Sequence, residues 1–255
     1  LGSNSILDFN LRYSFTGILT NLGADFGGEK INFYDGVVSF RNEGARHKLK
    51  FFAWAGNSIN EFDHVDPPED RERYKDFFDI DYDNDILGAG GRYDVTLSPK
   101  LFLRSGVAYS TNQTSYLKTG QFGLEPVSID QHGTVNIISS FADLTIRHSS
   151  RIHSNAGLEY TNRSYKEDYY PFSPFDEESM LRPYLNTTIQ FAPDWKIEAG
   201  GEIQRSFQYD TWIPGYRAEI VWTPNEHHAI IAGMRHSGGE PPYTPGYRDT
   251  RVQFV

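Results

Sequence analysis

Alternation of apolar and polar residues recurs along this chain from end to end, and no other feature restricts its fold so strongly. In the first run Leu7, Phe9, Leu11, Tyr13 and Phe15 share one parity, while Asp8, Asn10, Arg12 and Ser14 share the other. Further on, Leu87, Ala89, Gly91, Tyr93, Val95 and Leu97 oppose Gly88, Gly90, Arg92, Asp94 and Thr96. Trp195, Ile197, Ala199, Gly201 and Ile203 oppose Lys196, Glu198, Gly200, Glu202 and Gln204; Tyr216, Ala218, Ile220 and Trp222 oppose Arg217, Glu219 and Val221. A period of two sends successive side chains to opposite faces of an extended strand. Each of these strands is therefore apolar on one face and charged on the other.

That division favours a membrane barrel over a soluble sandwich. A sandwich core would not accept unpaired charges, whereas a water-filled or plugged lumen does. The pattern predicts strands near 5–16, 30–42, 47–57, 84–97, 101–111, 134–148, 151–162, 180–191, 195–206, 212–223 and 227–236, with 251–255 opening another. Such runs match the roughly 9–11 residues a tilted strand needs to cross a bilayer, where soluble strands average about 5–6. The connections alternate as well. Segments 42–46, 98–100, 149–150, 192–194 and 223–226 are short and rich in turn formers, and between them lie long polar stretches near 57–83, 112–133, 163–179 and 237–250. Short periplasmic turns and long extracellular loops are the outer-membrane arrangement. The expected fold is an all-β, antiparallel transmembrane barrel, or a large part of one, with about 11–12 strands in this chain.

Composition removes the competitors. No stretch approaches the ~18 apolar residues of a membrane helix. The mean hydropathy of -0.55 does not count against a barrel, because only alternate residues meet lipid. The 18 Phe, 16 Tyr and 4 Trp would supply aromatic girdles at the two interfaces. With no Cys there is neither a disulfide scaffold nor a thiolate metal site, and no cofactor is expected. A net charge of -10 argues against nucleic acid as a partner. The opening Leu1-Gly2-Ser3-Asn4 carries no signal-peptide pattern, so any export signal is expected to have been removed or to lie upstream.

Candidate sites lie on the charged faces and in the loops. Arg12, Arg92, Glu198, Glu202 and Arg217 are predicted to face the lumen, as ion pairs within the wall or as contacts for its contents. Among the loop aromatics, Tyr74, Tyr116, Tyr169, Tyr170 and Trp212 are candidates for gripping a ligand by stacking, with interface anchoring as their structural alternative. Asp79, Asp81 and Asp83 alternate in an acidic tract that could offer oxygen ligands to Ca²⁺, although the Gly and Glu of an EF-hand loop are missing. A solvated strand entry explains the same residues. Nothing fixes a nucleophile beside a base, so no catalytic residue is assigned and the chain is not expected to be an enzyme.

Several segments resemble a known family. Asp8-Phe9-Asn10-Leu11-Arg12-Tyr13-Ser14-Phe15-Thr16-Gly17-Ile18-Leu19 is followed by Asn32-Phe33-Tyr34-Asp35-Gly36-Val37-Val38-Ser39-Phe40, then by Lys48-Leu49-Lys50-Phe51-Phe52-Ala53-Trp54-Ala55-Gly56. These resemble the early barrel strands of TonB-dependent outer-membrane receptors, particularly those of Bacteroidota. The stretches from Leu97 through Ser110 and from Pro214 through His228 are similar to later strands of that family. The resemblance implies a barrel of about 22 strands around a plug. Residues 1–255 would then be the transmembrane barrel region of a longer receptor, since no segment resembles the plug or the TonB box. It also implies a place in the outer membrane of a Gram-negative bacterium, in contact with its lipids. The TonB complex would energise uptake of a small nutrient ligand (a siderophore, cofactor, glycan or peptide), and a surface lipoprotein partner fits the same scheme. The alternative is a complete small barrel acting as a passive channel or a rim-site hydrolase.

Overall fold

The computed structural model describes residues 4–14, 16, 18–19, 22–24, 29–63, 77–122, 125–167, 177–225 and 228–236. Its strands are β1 (Ser5–Tyr13), β2 (Glu29–Glu43), β3 (His47–Phe62), β4 (Phe78–Ser98), β5 (Leu101–Phe122), β6 (Glu125–Arg147), β7 (Ile152–Glu167), β8 (Glu177–Ala192), β9 (Trp195–Ser206), β10 (Thr211–Asn225) and β11 (His228–His236). They form one 11-stranded sheet in which each strand pairs with its sequence neighbours. All described pairings are antiparallel.

Eleven predicted strands, from the one at 5–16 to the one at 227–236, are present, and the five predicted short turns lie at one end of the sheet. Their side chains satisfy the turning backbone. Ser149 Oγ accepts from the amides of Arg151 and Ile152 at 3.2 and 3.1 Å, Ser98 Oγ accepts from the Lys100 amide at 3.2 Å, and Gln190 Nε2 donates to the Pro193 carbonyl at 2.9 Å.

The loop end departs from expectation. Most of the stretch 112–133 is paired strand: β5 continues to Phe122 and β6 starts at Glu125, in unbroken register from Leu101↔Ile146 to Phe122↔Glu125. Likewise β3 reaches Phe62, β4 starts at Phe78, β7 reaches Glu167 and β8 starts at Glu177. Strands of 21, 22 and 23 residues in β4, β5 and β6 far exceed the about 9–11 needed to cross a bilayer. Beyond the membrane both faces are wet, so polar residues no longer argue against pairing. The Thr, Tyr, Val and Ile scattered through these segments still favour an extended backbone. The β9–β10 connection on the same side is a tight one, with Asp210 at a φ of 49°. The predicted loop 237–250 and strand start 251–255 lie outside the described residues.

Register fixes the faces. Phe9, Val38, Ala53, Ala89, Tyr109 and Ile138 are successive cross-strand partners, an apolar row running over six strands. On that same face of the sheet stand Leu7, Leu87, Val107, Leu158, Leu185, Ile203, Tyr216 and Ile220, all substantially exposed. The opposite face carries Arg12, Asp35, Arg92, Asp94, Glu159, Arg182 and Glu202 in its own register rows. Among the described residues only Phe78 and Val221 are buried hydrophobics. A single layer without an apolar core gains its hydrophobic stabilisation only if something apolar covers the outer face.

Aromatic residues mark the turn-side margin of the belt. Trp195 and Trp222 stack with centroids 5.5 Å apart, and Phe191 packs on Trp195 at 6.2 Å. On the opposite face Phe52 and Trp54 stack at 5.5 Å and lean across β4, where their cross-strand partners are Gly90 and Gly88.

β1 and β11 are the sheet's two edges. Both run from the turn side towards the loop side, because an odd number of antiparallel strands begins and ends in the same direction.

Candidate lumen wall

The five predicted lumen residues all lie on the charged face. Arg12 Nε donates to Asp35 Oδ1 at 2.8 Å, joining cross-strand partners of β1 and β2. Arg92 grips Asp94 in a two-pronged pair, with Nε to Oδ1 at 2.8 Å and Nη2 to Oδ2 at 2.7 Å. Glu198 takes Lys196 Nζ at 2.7 Å. Glu202 lies 3.6 Å from Arg182 Nη1, while Arg182 Nη2 bonds Glu159 directly. Arg217 has a buried Nε with no hydrogen-bond partner among the described residues.

Asp35, Asp94, Glu159 and Arg182 complete these pairs and were not singled out from the sequence. Their parity was legible in it; their partnership depends on register across strands. Glu159, Arg182, Tyr184, Glu202 and Arg217 line a concavity of about 220 Å³ on this face. Arg182 holds two carboxylates apart there. Arg182→Gln is expected to cost about 1.5–3 kcal/mol, the usual worth of a hydrogen bond to a charged group, and to do so in urea unfolding from lipid vesicles. An unchanged midpoint would mean that lumen water already screens the pair.

The aromatic candidates divide. Tyr116 stands on β5 rather than in a loop and is the cross-strand partner of Tyr82 and Gln131 on the charged face. Close by, the Lys118 ammonium sits 3.7 Å from the centre of the Phe78 ring. These groups form the loop-side rim of the inner wall. Trp212 has the parity of Tyr216 and Ile220 and so lies on the lipid face, with the Arg205 guanidinium 5.1 Å from its ring. That position is compatible with interface anchoring, the structural alternative for this residue. Tyr74, Tyr169 and Tyr170 lie outside the described residues.

Asp79, Asp81 and Asp83 follow one another at every second position of β4, on the parity of Leu87 and Ala89. Neighbours of that kind are roughly 6.6–6.8 Å apart along a strand and Asp79 stands about twice that from Asp83, so a single cation at about 2.3–2.6 Å from its oxygens could draw on two adjacent carboxylates but not on all three. Among the described residues no group of three acidic, His or Cys side chains could hold a metal ion. Asp83 and Asp85 instead accept from Asn57 Nδ2 at 2.7 and 2.9 Å. The alternation was plain in the sequence. It reflects a strand rising above the membrane with its polar edge in water.

No family model matches the chain, and no curated protein matches it. Solved structures do. The ferric preacinetobactin receptor BauA of Acinetobacter baumannii superposes with a TM-score of 0.62 at 11% identity, over 82% of this chain and 40% of its own. The ferric-catecholate import receptor Fiu of E. coli K12, in its closed form, gives 0.56 at 13% identity, over 94% and 42%. The RagAB peptide importer gives 0.53 at 8% identity, over 76% and 30%. This chain thus spans less than half the length of each. At these identities the likeness is one of fold, and the fold is that of outer-membrane receptor barrels.

Proposed function

We propose that this chain is part of the wall of an outer-membrane receptor that imports a scarce nutrient with energy from the TonB complex. The observation that carries the reading is the division of one sheet into a lipid-ready outer face and an ion-paired inner face, held in register over eleven strands. Receptors for ferric siderophores and a peptide importer share the fold, which supports a siderophore or a peptide ahead of the other candidates, a cofactor or a glycan. The inner rim around Tyr82 and Tyr116 would meet the nutrient first, with Tyr74, Tyr169 and Tyr170 as further candidate contacts. Arg12, Arg92, Glu198, Glu202 and Arg217 would face whatever fills or crosses the lumen. A surface lipoprotein would be a partner at the loop side.

Strand direction supports a larger barrel. β1 and β11 run the same way, so they cannot close on each other in an antiparallel seam. Two copies placed head to tail around one axis would meet the same obstacle at both seams. Closure needs an odd number of further strands, and a barrel of about 22 meets that requirement. Two open edges in lipid would otherwise cost several kcal/mol for each unpaired backbone group.

The intact mass of the polypeptide extracted in detergent from outer membranes tests this directly. A mass roughly two to three times 29.1 kDa is expected. A mass of 29.1 kDa would remove the plugged receptor and leave a complete small barrel.

A further inference from the structure

Two adjacent rows of the inner face, close to the turns of β2–β5, treat charge in opposite ways. In one row Glu43, Lys48, Asp94, Arg104 and Asp143 are successive cross-strand partners, so the signs alternate. In the next row Arg41, Lys50 and Arg92 are successive partners, three cations facing one another. Like charges directly opposite on neighbouring strands destabilise a sheet. Arg92 is answered by Asp94, which also lies 3.6 Å from Arg104 Nε. Arg41 and Lys50 are exposed on this face and neither has a carboxylate within ion-pair distance among the described residues, although Asp94 also attracts Lys50 at longer range. Among the described residues the buried Arg104 Nε has no hydrogen bond and only the 3.6 Å ion pair with Asp94. Over these two rows of β2–β5, Arg41, Lys48, Lys50, Arg92 and Arg104 outnumber Glu43 and Asp94, in a chain whose net charge is -10. The flanking carboxylates are Asp8 on β1 and Asp143 on β6.

We infer that Arg41, Lys50, Arg92 and Arg104 form an anion-binding patch on the inner wall, suited to a group bearing several anionic oxygens such as a polycarboxylate or a phosphate ester. With strands about 4.8 Å apart, Arg41 and Arg92 bracket a span of roughly 10 Å. A tricarboxylate fits that span, and so do two or three acidic side chains. The anionic oxygens come either from a solute in the lumen or from carboxylates of the same polypeptide held inside the barrel. The inference rests on the reading of this face as a lumen. Extraction in detergent and the intact mass report on that reading independently of the measurements that follow.

The full-length protein in detergent at low ionic strength is titrated with citrate by calorimetry, and its thermal unfolding is followed. The same is done for R41Q/K50Q and for the charge-retaining R41K/K50R. If a solute is the natural occupant, citrate binds, R41Q/K50Q weakens it by about tenfold or more, and R41K/K50R retains most of the affinity. If internal carboxylates already fill the patch, citrate does not bind, R41Q/K50Q lowers the unfolding temperature by several degrees, and R41K/K50R does not. Citrate bound equally by R41Q/K50Q overturns the inference. So does an absence of citrate binding together with an unchanged or raised unfolding temperature in R41Q/K50Q. An empty row would gain from losing its repulsion.

Discussion

Val107→Arg is expected to destabilise the barrel by about 2–4 kcal/mol in lipid, while Gln113→Arg on the same strand changes stability by less than about 0.5 kcal/mol. Both positions have the same parity on β5 and face outward. Val107 lies in the apolar belt and is 57% exposed in the bare sheet. Gln113 lies six positions further on, in the part of β5 that rises beyond the belt. The separation along the strand is roughly 20 Å, which carries a guanidinium from hydrocarbon into water. Urea unfolding of the full-length protein from vesicles supplies both values. In a soluble sheet the two changes would be equivalent, since an arginine at an exposed position costs little wherever it stands. A matched pair of small effects would therefore remove the lipid belt, and with it the membrane reading of the fold. A large loss at Val107 alone would locate the hydrocarbon slab on the strand.

The same depth argument explains which features were legible in the sequence. Within the belt, lipid outside and charge inside impose contrast between alternate residues, so runs such as Leu7 to Tyr13 and Trp195 to Ile203 announce themselves. The parity of Arg12, Arg92, Glu198, Glu202 and Arg217 is a local property, and all five were placed on one face before any register was known. Above the belt the contrast disappears, and segment 112–133 reads as a loop although its backbone pairs up to Phe122 and again from Glu125. Trp212 is ambiguous in the sequence for a related reason. An aromatic near a strand end has the same composition signal whether it faces ligand or lipid, and only its parity with Tyr216 separates the two. Ion pairs such as Glu159 with Arg182 depend on how β7 and β8 align across a long connection. Arg41 opposite Lys50 depends on the turn between β2 and β3. Sequence alternation contains neither.

Gly88→Val is the second large effect expected, and its sign should reverse when Trp54 is removed. A Cβ at Gly88 would meet the Trp54 ring at 2.1 to 2.5 Å, well inside contact distance. The ring lies across β4 because its cross-strand partner has no side chain, and Phe52 stacks on it while covering Gly90 in the same way. Valine at this position must expel the indole or push the strands apart, a cost of about 1–3 kcal/mol for overpacking. Losing the stack with Phe52 adds about 0.5–1.5 kcal/mol. Trp54→Ala alone forfeits the stack and uncovers the glycine. In that background valine fills vacant space with a good strand former, at a site where glycine weakens the sheet. Gly88→Val should then be neutral or stabilising. The double-mutant cycle, read from urea midpoints or from the fraction that resists unfolding on cold detergent gels, isolates the coupling. Additive losses would show that Trp54 and Gly88 do not meet in the folded wall. The β3–β4 register, and with it the row of Arg41, Lys50 and Arg92, would then have to shift.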